Sequence, residues 1–592
     1  MSSKKGKGKK SKRKMRIEIK NLYPAIKNTK EGKFYGYIDI SGSFVINPIY
    51  LSAYNFNSSS LAVVQVQEGF GLINKKGEYV LEPNYNSISD FKENRAIFVL
   101  NDYMGVINEK GNIITNKKYN FISDYNEGRA VIGISSNEGN YKYGYIDLEG
   151  NEVIPPIYSE ATSFNDGGAL VKIKDKEYNL IDINGKVINT YNYDFVSQYG
   201  EGLMVFGNSF EGPLGYLNRE GQIVIKPKYK SAEGFKDGVA IVSESDSFIG
   251  PYGVIDKEGK YLYPPIFSDI KVLGEDRLAL GMPIGEKDLK LRSIYGIGDT
   301  KGNRLTDFIY LVVGRYDKGL AYASNESDTF FIDKAGNIVK DLPKVSGSGE
   351  LLIKNGLVYA DIDYYPYYLD KSGKVIYKSN DVITLDDNYS VLRDKYKPNI
   401  NYLIYNPVVQ GVKDKNTANQ INSKLKELSY FEPHEEEGNK KNPTITEEDV
   451  LDYDYYGDFN IKYFKNDLLT LDITGYYYPL GAAHGMPSKK TPTINLVTGK
   501  FYTLGDLFMG GVYWVGELNK IIKNMIETDK QYDYVFKDQF KSIKPDQGFY
   551  IDDSNLYIYF PPYEIGPYSA GFITFKIPFS KIQGMIKSNL SR

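Results

Sequence analysis

Few residues in this chain have the types and spacing that chemistry needs. Its 592 residues include two histidines, His434 and His484, and no cysteine. The missing thiols exclude disulfides, cysteine nucleophiles and cysteine-ligated zinc together. A zinc site would need the two histidines joined by carboxylates, and their spacing does not place them on one helix face. His434 stands beside Glu435, Glu436 and Glu437 in a polar, acidic run, Glu432 to Glu448, which reads as a solvated loop. His484 lies in Gly481-Ala482-Ala483-His484-Gly485, a glycine-rich turn between aromatic segments. It could contact a ligand, act as an acid or base with Glu564, or simply bond the backbone of its own turn, which is the favoured reading. No nucleophile presents itself for a hydrolase. The expectation is no catalytic residue, no metal and no cofactor, with His484, Tyr563, Glu564 and Tyr568 as the candidate ligand-binding residues.

Two segments imitate known sites and fail on detail. Gly253 to Gly259-Lys260 is like a phosphate loop, but five residues separate the glycines instead of four and no Ser or Thr follows the lysine. Asp452 and Asp454 open like a calcium loop, but the twelfth position is Tyr463, which has no carboxylate to offer.

The net charge of −2 hides an asymmetry. Residues 4 to 16 carry nine Lys or Arg and no acid, so the remaining body is near −11. Such a body is a poor general binder of nucleic acid. The tail could touch phosphate polymers or an anionic membrane, at about 1 kcal/mol per charge. It has no interleaved aromatics, and a disordered solubilising tail over 1–20 is the favoured reading. No stretch reaches the length of a transmembrane helix, and Ile17-Glu18-Ile19-Lys20-Asn21 interrupts any signal-type apolar run. A soluble, cytoplasmic protein is expected, with spore or envelope association as the alternative.

The elements that must position these residues are dominated by a repeat. Tyrosine (54) and glycine (57) are abundant while tryptophan occurs once, a composition of strands joined by tight turns. An aromatic, Gly, apolar, apolar, Asp/Asn core recurs, as in Tyr35-Gly36-Tyr37-Ile38-Asp39, Phe70-Gly71-Leu72-Ile73-Asn74, Tyr143-Gly144-Tyr145-Ile146-Asp147, Leu214-Gly215-Tyr216-Leu217-Asn218 and Tyr252-Gly253-Val254-Ile255-Asp256. Ten copies are recognisable, the last at Tyr367-Tyr368-Leu369-Asp370. Three residues after the Asp or Asn comes Gly, then an apolar pair and often Pro-x-aromatic, as in Pro48-Ile49-Tyr50 and Pro265-Ile266-Phe267. Asp-x-x-Gly closes a hairpin, because an acid that caps the turn is followed by a residue free to take positive φ. The Gly after the aromatic permits close backbone approach, and Pro ends a strand without an unpaired N–H. A unit of two or three short strands cannot bury its own apolar face, so copies must stack as a solenoid, superhelix or propeller-like ring. Drifting spacings favour an open, curved array. The interior aromatics are then structural, with a remainder free to form a stacking surface for glycans or peptides.

These features resemble the WG-repeat family, with Tyr or Phe mostly in place of the Trp. The resemblance covers residues 21–385 and implies a β-repeat scaffold without a shared chemistry.

Periodicity changes near Tyr396. Ala418, Ile421, Leu425 and Leu428 predict a helix over 416–428, and Val515, Leu518, Ile522 and Met525 a second. Leu469, Leu471 and Ile473 alternate with polar residues as a strand; 556–560 and 572–577 read as further strands, and 580–586 as a short closing helix. Residues 396–592 thus form an α+β domain. Tyr405-Asn406-Pro407-Val408-Val409, the segment around His484, Asn495-Leu496-Val497-Thr498-Gly499-Lys500, Leu504-Gly505-Asp506-Leu507-Phe508 and Pro562-Tyr563-Glu564-Ile565-Gly566-Pro567-Tyr568 resemble a linked pair of domains of unknown function. That pair occurs in lysozyme-sensing anti-sigma factors and beside peptidoglycan deacetylase domains. The resemblance implies a cell-envelope ligand, peptidoglycan or a lysozyme-like protein. Unlike those relatives, the chain is expected to lack an export signal, a membrane anchor and a deacetylase domain. The expected function is non-enzymatic binding or scaffolding, with the repeats engaging protein or glycan; the alternative is a hydrolase of cell-wall or ester substrates using His484 and Glu564.

Overall fold

The computed structural model describes residues 21–135, 139–209, 211–247, 250–284, 292–430 and 451–587. The basic tail, His434 and the acidic run around it lie outside the described residues. Two compact units divide the chain. One holds Tyr35–Ile157 with short pieces at Asn355–Leu357 and up to Ala25; the other holds Ile26–Phe34, Tyr158–Lys354 and Val358 onward.

Among the described residues, ten small antiparallel sheets of three or four strands account for the ten sequence copies, one sheet for each. A representative sheet runs Ser52–Ala53, Leu61–Val66, Gly69–Asn74, Tyr79–Tyr85, each strand beside the next. The aromatic-Gly segment is the third strand, and the Asp/Asn-x-x-Gly step turns it into the fourth. At Asp39 the mechanism is explicit. The Gly42 N–H donates to the Asp39 carbonyl at 3.0 Å, and the Asp39 carboxylate accepts from the N–H groups of Ser41 and Ser43 at 2.9 and 3.2 Å. Gly42 takes φ +85°, the conformation for which Gly is the default residue. The phosphate-loop imitation is the same device: Gly253 lies in the strand Tyr252–Ile255, and Asp256 accepts from Lys260 N across the turn to Gly259.

The glycine inside the third strand serves close approach. A Cβ on Gly36 would lie 2.5 Å from the Ile46 carbonyl oxygen and 2.7 Å from Pro48 N, and one on Gly71 would lie 2.6 Å from the Leu81 carbonyl oxygen. The pairing register shifts at these points, so the fourth strand bends over the glycine.

Neighbouring repeats share their cores, which is why a single copy is insufficient. In the second unit, Leu203, Tyr216 and Tyr229 of one sheet pack with Ala240, Val242 and Ile255 of the next, all buried. The tyrosine excess finds its use in the same contacts. Tyr191 donates its hydroxyl to the Arg219 carbonyl at 2.6 Å, Tyr263 to that of Asn303 at 2.8 Å and Tyr310 to that of Gly336 at 2.7 Å. Each bond runs from one repeat to the turn of its successor. In the first unit the Tyr119 hydroxyl donates instead to the Glu152 carboxylate, at the start of the next repeat's fourth strand, at 3.0 Å. Within the second unit, Ile26–Phe34 is held by the tenth repeat: Tyr377 donates to the Ile26 carbonyl at 2.7 Å and Asn28 to that of Asn380 at 2.8 Å.

The C-terminal α+β region also belongs to the second unit. Its eight-stranded sheet begins at Val382–Thr384 and continues through Ser390–Asn399, Tyr402–Gln410, the long hairpin Tyr453–Lys465 and Leu468–Pro479, then Thr493–Asn495 and Phe501–Tyr502, with Met486–Lys490 paired to the hairpin's second strand. Helix α1, Lys415–Ser429, starts where Asp414 accepts from Thr417 N at 2.7 Å, and it buries Ile421 and Leu425 on this sheet. Helix α2, Trp514–Thr528, buries Leu518, Ile522 and Ile526 with a separate sheet of Phe549–Ile551, Asn555–Phe560 and Ile573–Pro578. The helix expected over 580–586 is only a 3-10 turn, Phe579–Lys581. Gly584 lowers helix propensity there, and Ile586 instead bridges to Phe508. No helix among the described residues is long and apolar enough to cross a membrane.

Candidate ligand-binding site

His484 is positioned by a hairpin loop. The strand Leu468–Pro479 ends in a turn, with the Ala482 N–H donating to the Pro479 carbonyl at 3.1 Å and Gly481 at φ +79°, and Met486–Lys490 returns alongside with Met486 opposite Tyr477. Gly485 is buried at the foot of the return, and a Cβ there would lie 2.5 Å from the Tyr477 carbonyl oxygen. This tight foot leaves His484 exposed at the loop tip.

The second half comes from the segment joining Asn555–Phe560 to Ile573–Pro578. Pro561 and Pro562 stiffen the exit of the first strand, and Tyr563 follows at φ +69°, a costly conformation for an aromatic residue, with 55% of its surface exposed. Tyr563 and Tyr568 both meet His484. The Tyr563 hydroxyl lies 3.1 Å from Nε2, and His484 Nδ1 lies 3.1 Å from the Gly485 carbonyl oxygen. Both contacts are satisfied when Nδ1 carries the proton and donates to Gly485 while Tyr563 donates to Nε2. The Tyr568 ring stacks on the imidazole with centroids 4.0 Å apart and 26° between planes, and its hydroxyl donates to the Gly485 carbonyl at 2.8 Å. Burial, with a hydrogen bond to Tyr476, holds the Tyr568 phenol above its ordinary pKa. Tyr476 accepts from Gly485 N at 3.0 Å and completes the group.

Three of the four residues expected from sequence therefore meet: His484, Tyr563 and Tyr568. Glu564 does not join them. Its carboxylate pairs with Lys544 at 3.0 Å, while both imidazole nitrogens are engaged by Gly485 and Tyr563. The arrangement is a set of rings locked by hydrogen bonds, without an acid–base relay between His484 and Glu564. Tyr476 was missed by the sequence reading, because in Tyr476-Tyr477-Tyr478 nothing local says which ring faces the loop. Beside the rings opens a cleft of about 1040 Å³, whose walls include Tyr477, Met486, Pro562, Tyr559 and Phe572. Asp454, from the calcium-loop imitation, pairs instead with Arg292 at 3.1 Å. Among the described residues no three His, Asp or Glu are grouped to hold a metal ion.

Fold and site together define a β-repeat protein carrying an α+β domain. Six segments, 35–69, 70–103, 104–134, 143–176, 215–246 and 252–279, match the WG containing repeat, and residues 505–580 match the protein of unknown function DUF3298. The chain thus carries WG repeats over residues 35–279 and a DUF3298 domain at its C-terminal end. Similar solved structures include a DUF3298 family member from Bacteroides fragilis, 20% identical, covering 34% of this chain and 94% of that one, with a TM-score of 0.27. Another, from Pseudomonas aeruginosa, is 16% identical over 34% and 95%, with a TM-score of 0.26. A structure described as a eukaryotic initiation factor is 10% identical over 54% and 95%, with a TM-score of 0.37. No curated protein matches the sequence.

Proposed function

We propose that the protein is a non-enzymatic binding protein whose C-terminal domain holds a cell-envelope glycan, of the peptidoglycan type, on the rings of His484, Tyr563 and Tyr568. The observation that carries this reading is the ring group itself. Three flat side chains from two distant segments are fixed by the Tyr563–His484 hydrogen bond, the bond from Tyr568 to the Gly485 carbonyl and the stacking of Tyr568 on His484, and are left at the surface beside a large cleft. Pre-fixed rings lose little entropy on binding and offer faces that stack on sugar C–H groups. The repeats serve as a scaffold for protein partners. In three of them the Pro-Ile-aromatic step leaves its isoleucine more than half exposed: Ile49, Ile157 and Ile266.

The hydrolase reading has less support, because His484 and Glu564 each spend their polar atoms on other partners. The deciding experiment titrates the full chain with muropeptides and chitin-type oligosaccharides by calorimetry, beside a turnover assay on the same compounds. Saturable binding without turnover, weakened by Tyr568→Ala, supports the proposal. Absence of binding, or turnover abolished by Glu564→Gln, overturns it.

A further inference from the structure

A second cavity, of about 570 Å³, lies in the second unit between the late repeats and the eight-stranded sheet. Its walls include Tyr322, Tyr456, Tyr476 and Tyr478. Three of those hydroxyls are engaged: Tyr456 donates to Asp458 at 3.2 Å, Tyr478 donates to the Ala482 carbonyl at 3.1 Å and Tyr476 accepts from Gly485 N. What these side chains offer the cavity is therefore ring surface more than hydroxyl.

Four carboxylates also line it, and their partners divide them. Asp363 is offset by Lys395 and Lys397, and Asp454 by Arg292. Glu350 and Asp361 have no cationic partner among the described residues; Asp361 has only a long contact, 3.5 Å, from the Tyr359 hydroxyl. Burial, against that weak hydrogen bond, holds the Asp361 carboxyl above its ordinary pKa, as expected of an acid with no cation beside it. The cavity thus joins ring faces to a net negative charge that the protein does not itself neutralise.

We propose that this cavity binds an organic cation, an alkylammonium or guanidinium group on an apolar skeleton, with the tyrosine rings around the skeleton and Glu350 and Asp361 facing the charge. Ring faces attract such cations through their quadrupole, and the attraction grows as the site dries. A divalent metal fits less well, because it needs six or more oxygens at short range while much of this wall is aromatic carbon. This cavity shares Tyr476 with the His484 ring group, but none of the substitutions below touches that residue, so its test stands apart from the glycan reading.

The experiment is calorimetric titration of the full chain with spermidine and with agmatine, against a neutral diol of similar length and calcium chloride. Single-site binding of either cation, weakened about tenfold or more in the isosteric pair Glu350→Gln/Asp361→Asn and unchanged in Asp546→Asn, whose carboxylate lines the other cleft and not this cavity, is the expected result. Circular dichroism and the melting temperature check that the double variant folds. Should that variant not fold, Tyr322→Leu replaces it and is expected to weaken both cations. No cation binding, equal binding of the diol, preferential binding of calcium, or cation binding indifferent to the substitutions overturns the proposal.

Discussion

Arg393 and Asp458 face each other 2.5 Å apart with side chains only 2% and 8% exposed. Lys33, from the first hairpin, approaches the other carboxylate oxygen at 2.8 Å, and the arginine lies over the rings of Tyr405 and Phe459 at 4.9 and 5.3 Å. One buried carboxylate thereby ties the C-terminal sheet to a segment at the start of the repeats. Removing it leaves a buried guanidinium without its counter-charge. Asp458→Ala should lower stability by about 3–5 kcal/mol. Chemical denaturation checks this, and a loss near zero would show the pair to be incidental.

The same contacts set an acid limit. Burial alone would raise the Asp458 carboxyl, but Arg393 and Lys33 outweigh it and hold the pKa below the usual carboxylate value; Lys395 and Lys397 do so for Asp363. A depressed folded-state pKa contributes stability that is present above the unfolded value, about 4, and is lost as pH falls through the folded one. Melting temperature should hold from neutrality to about pH 5 and fall below about pH 4, with a shallower fall in Asp458→Asn.

Alkaline behaviour should report the tyrosines that join repeats. Burial pushes the Tyr191 and Tyr263 phenols up to about 12. With the folded value raised above the unfolded one, their contribution is complete below about pH 10 and is lost as pH rises toward 12. Phenolate absorbance should lag that of the unfolded chain and then rise together with loss of β signal. Tyr191→Phe should cost about 1 kcal/mol by leaving the Arg219 carbonyl without that donor.

The strand glycines give a steric prediction. Gly71→Ala should destabilise by about 1–3 kcal/mol, since the new methyl meets the Leu81 carbonyl oxygen and the fourth strand must shift. A melting temperature equal to that of the parent chain would mean that the bend is not needed.

For the ring group, His484→Ala and Tyr568→Ala should each weaken glycan binding about threefold to tenfold, with little change in melting temperature. Glu564→Gln should leave that affinity nearly unchanged, because its carboxylate serves Lys544.

Some of this molecule is written in short windows of the chain. The Asp39-to-Gly42 turn, the glycines at 36 and 71 and the apolar faces of α1 and α2 depend on φ preference, hydrogen bonding within four residues and helical period, all of which act locally. The same locality explains the one helix misread: apolar spacing over 580–586 suggested it, and the bridge from Ile586 to Phe508 replaced it. Which rings meet His484 was not legible. Tyr563 and Tyr568 lie 79 and 84 residues away, and three adjacent tyrosines at 476–478 are equivalent until strand pairing assigns their faces. The turn of Glu564 to Lys544, the bond from Lys33 to Asp458 across 425 residues and the unpaired acids at Glu350 and Asp361 arise in the same way. A side chain's partner follows from register and packing between segments, and only the assembled sheets decide those.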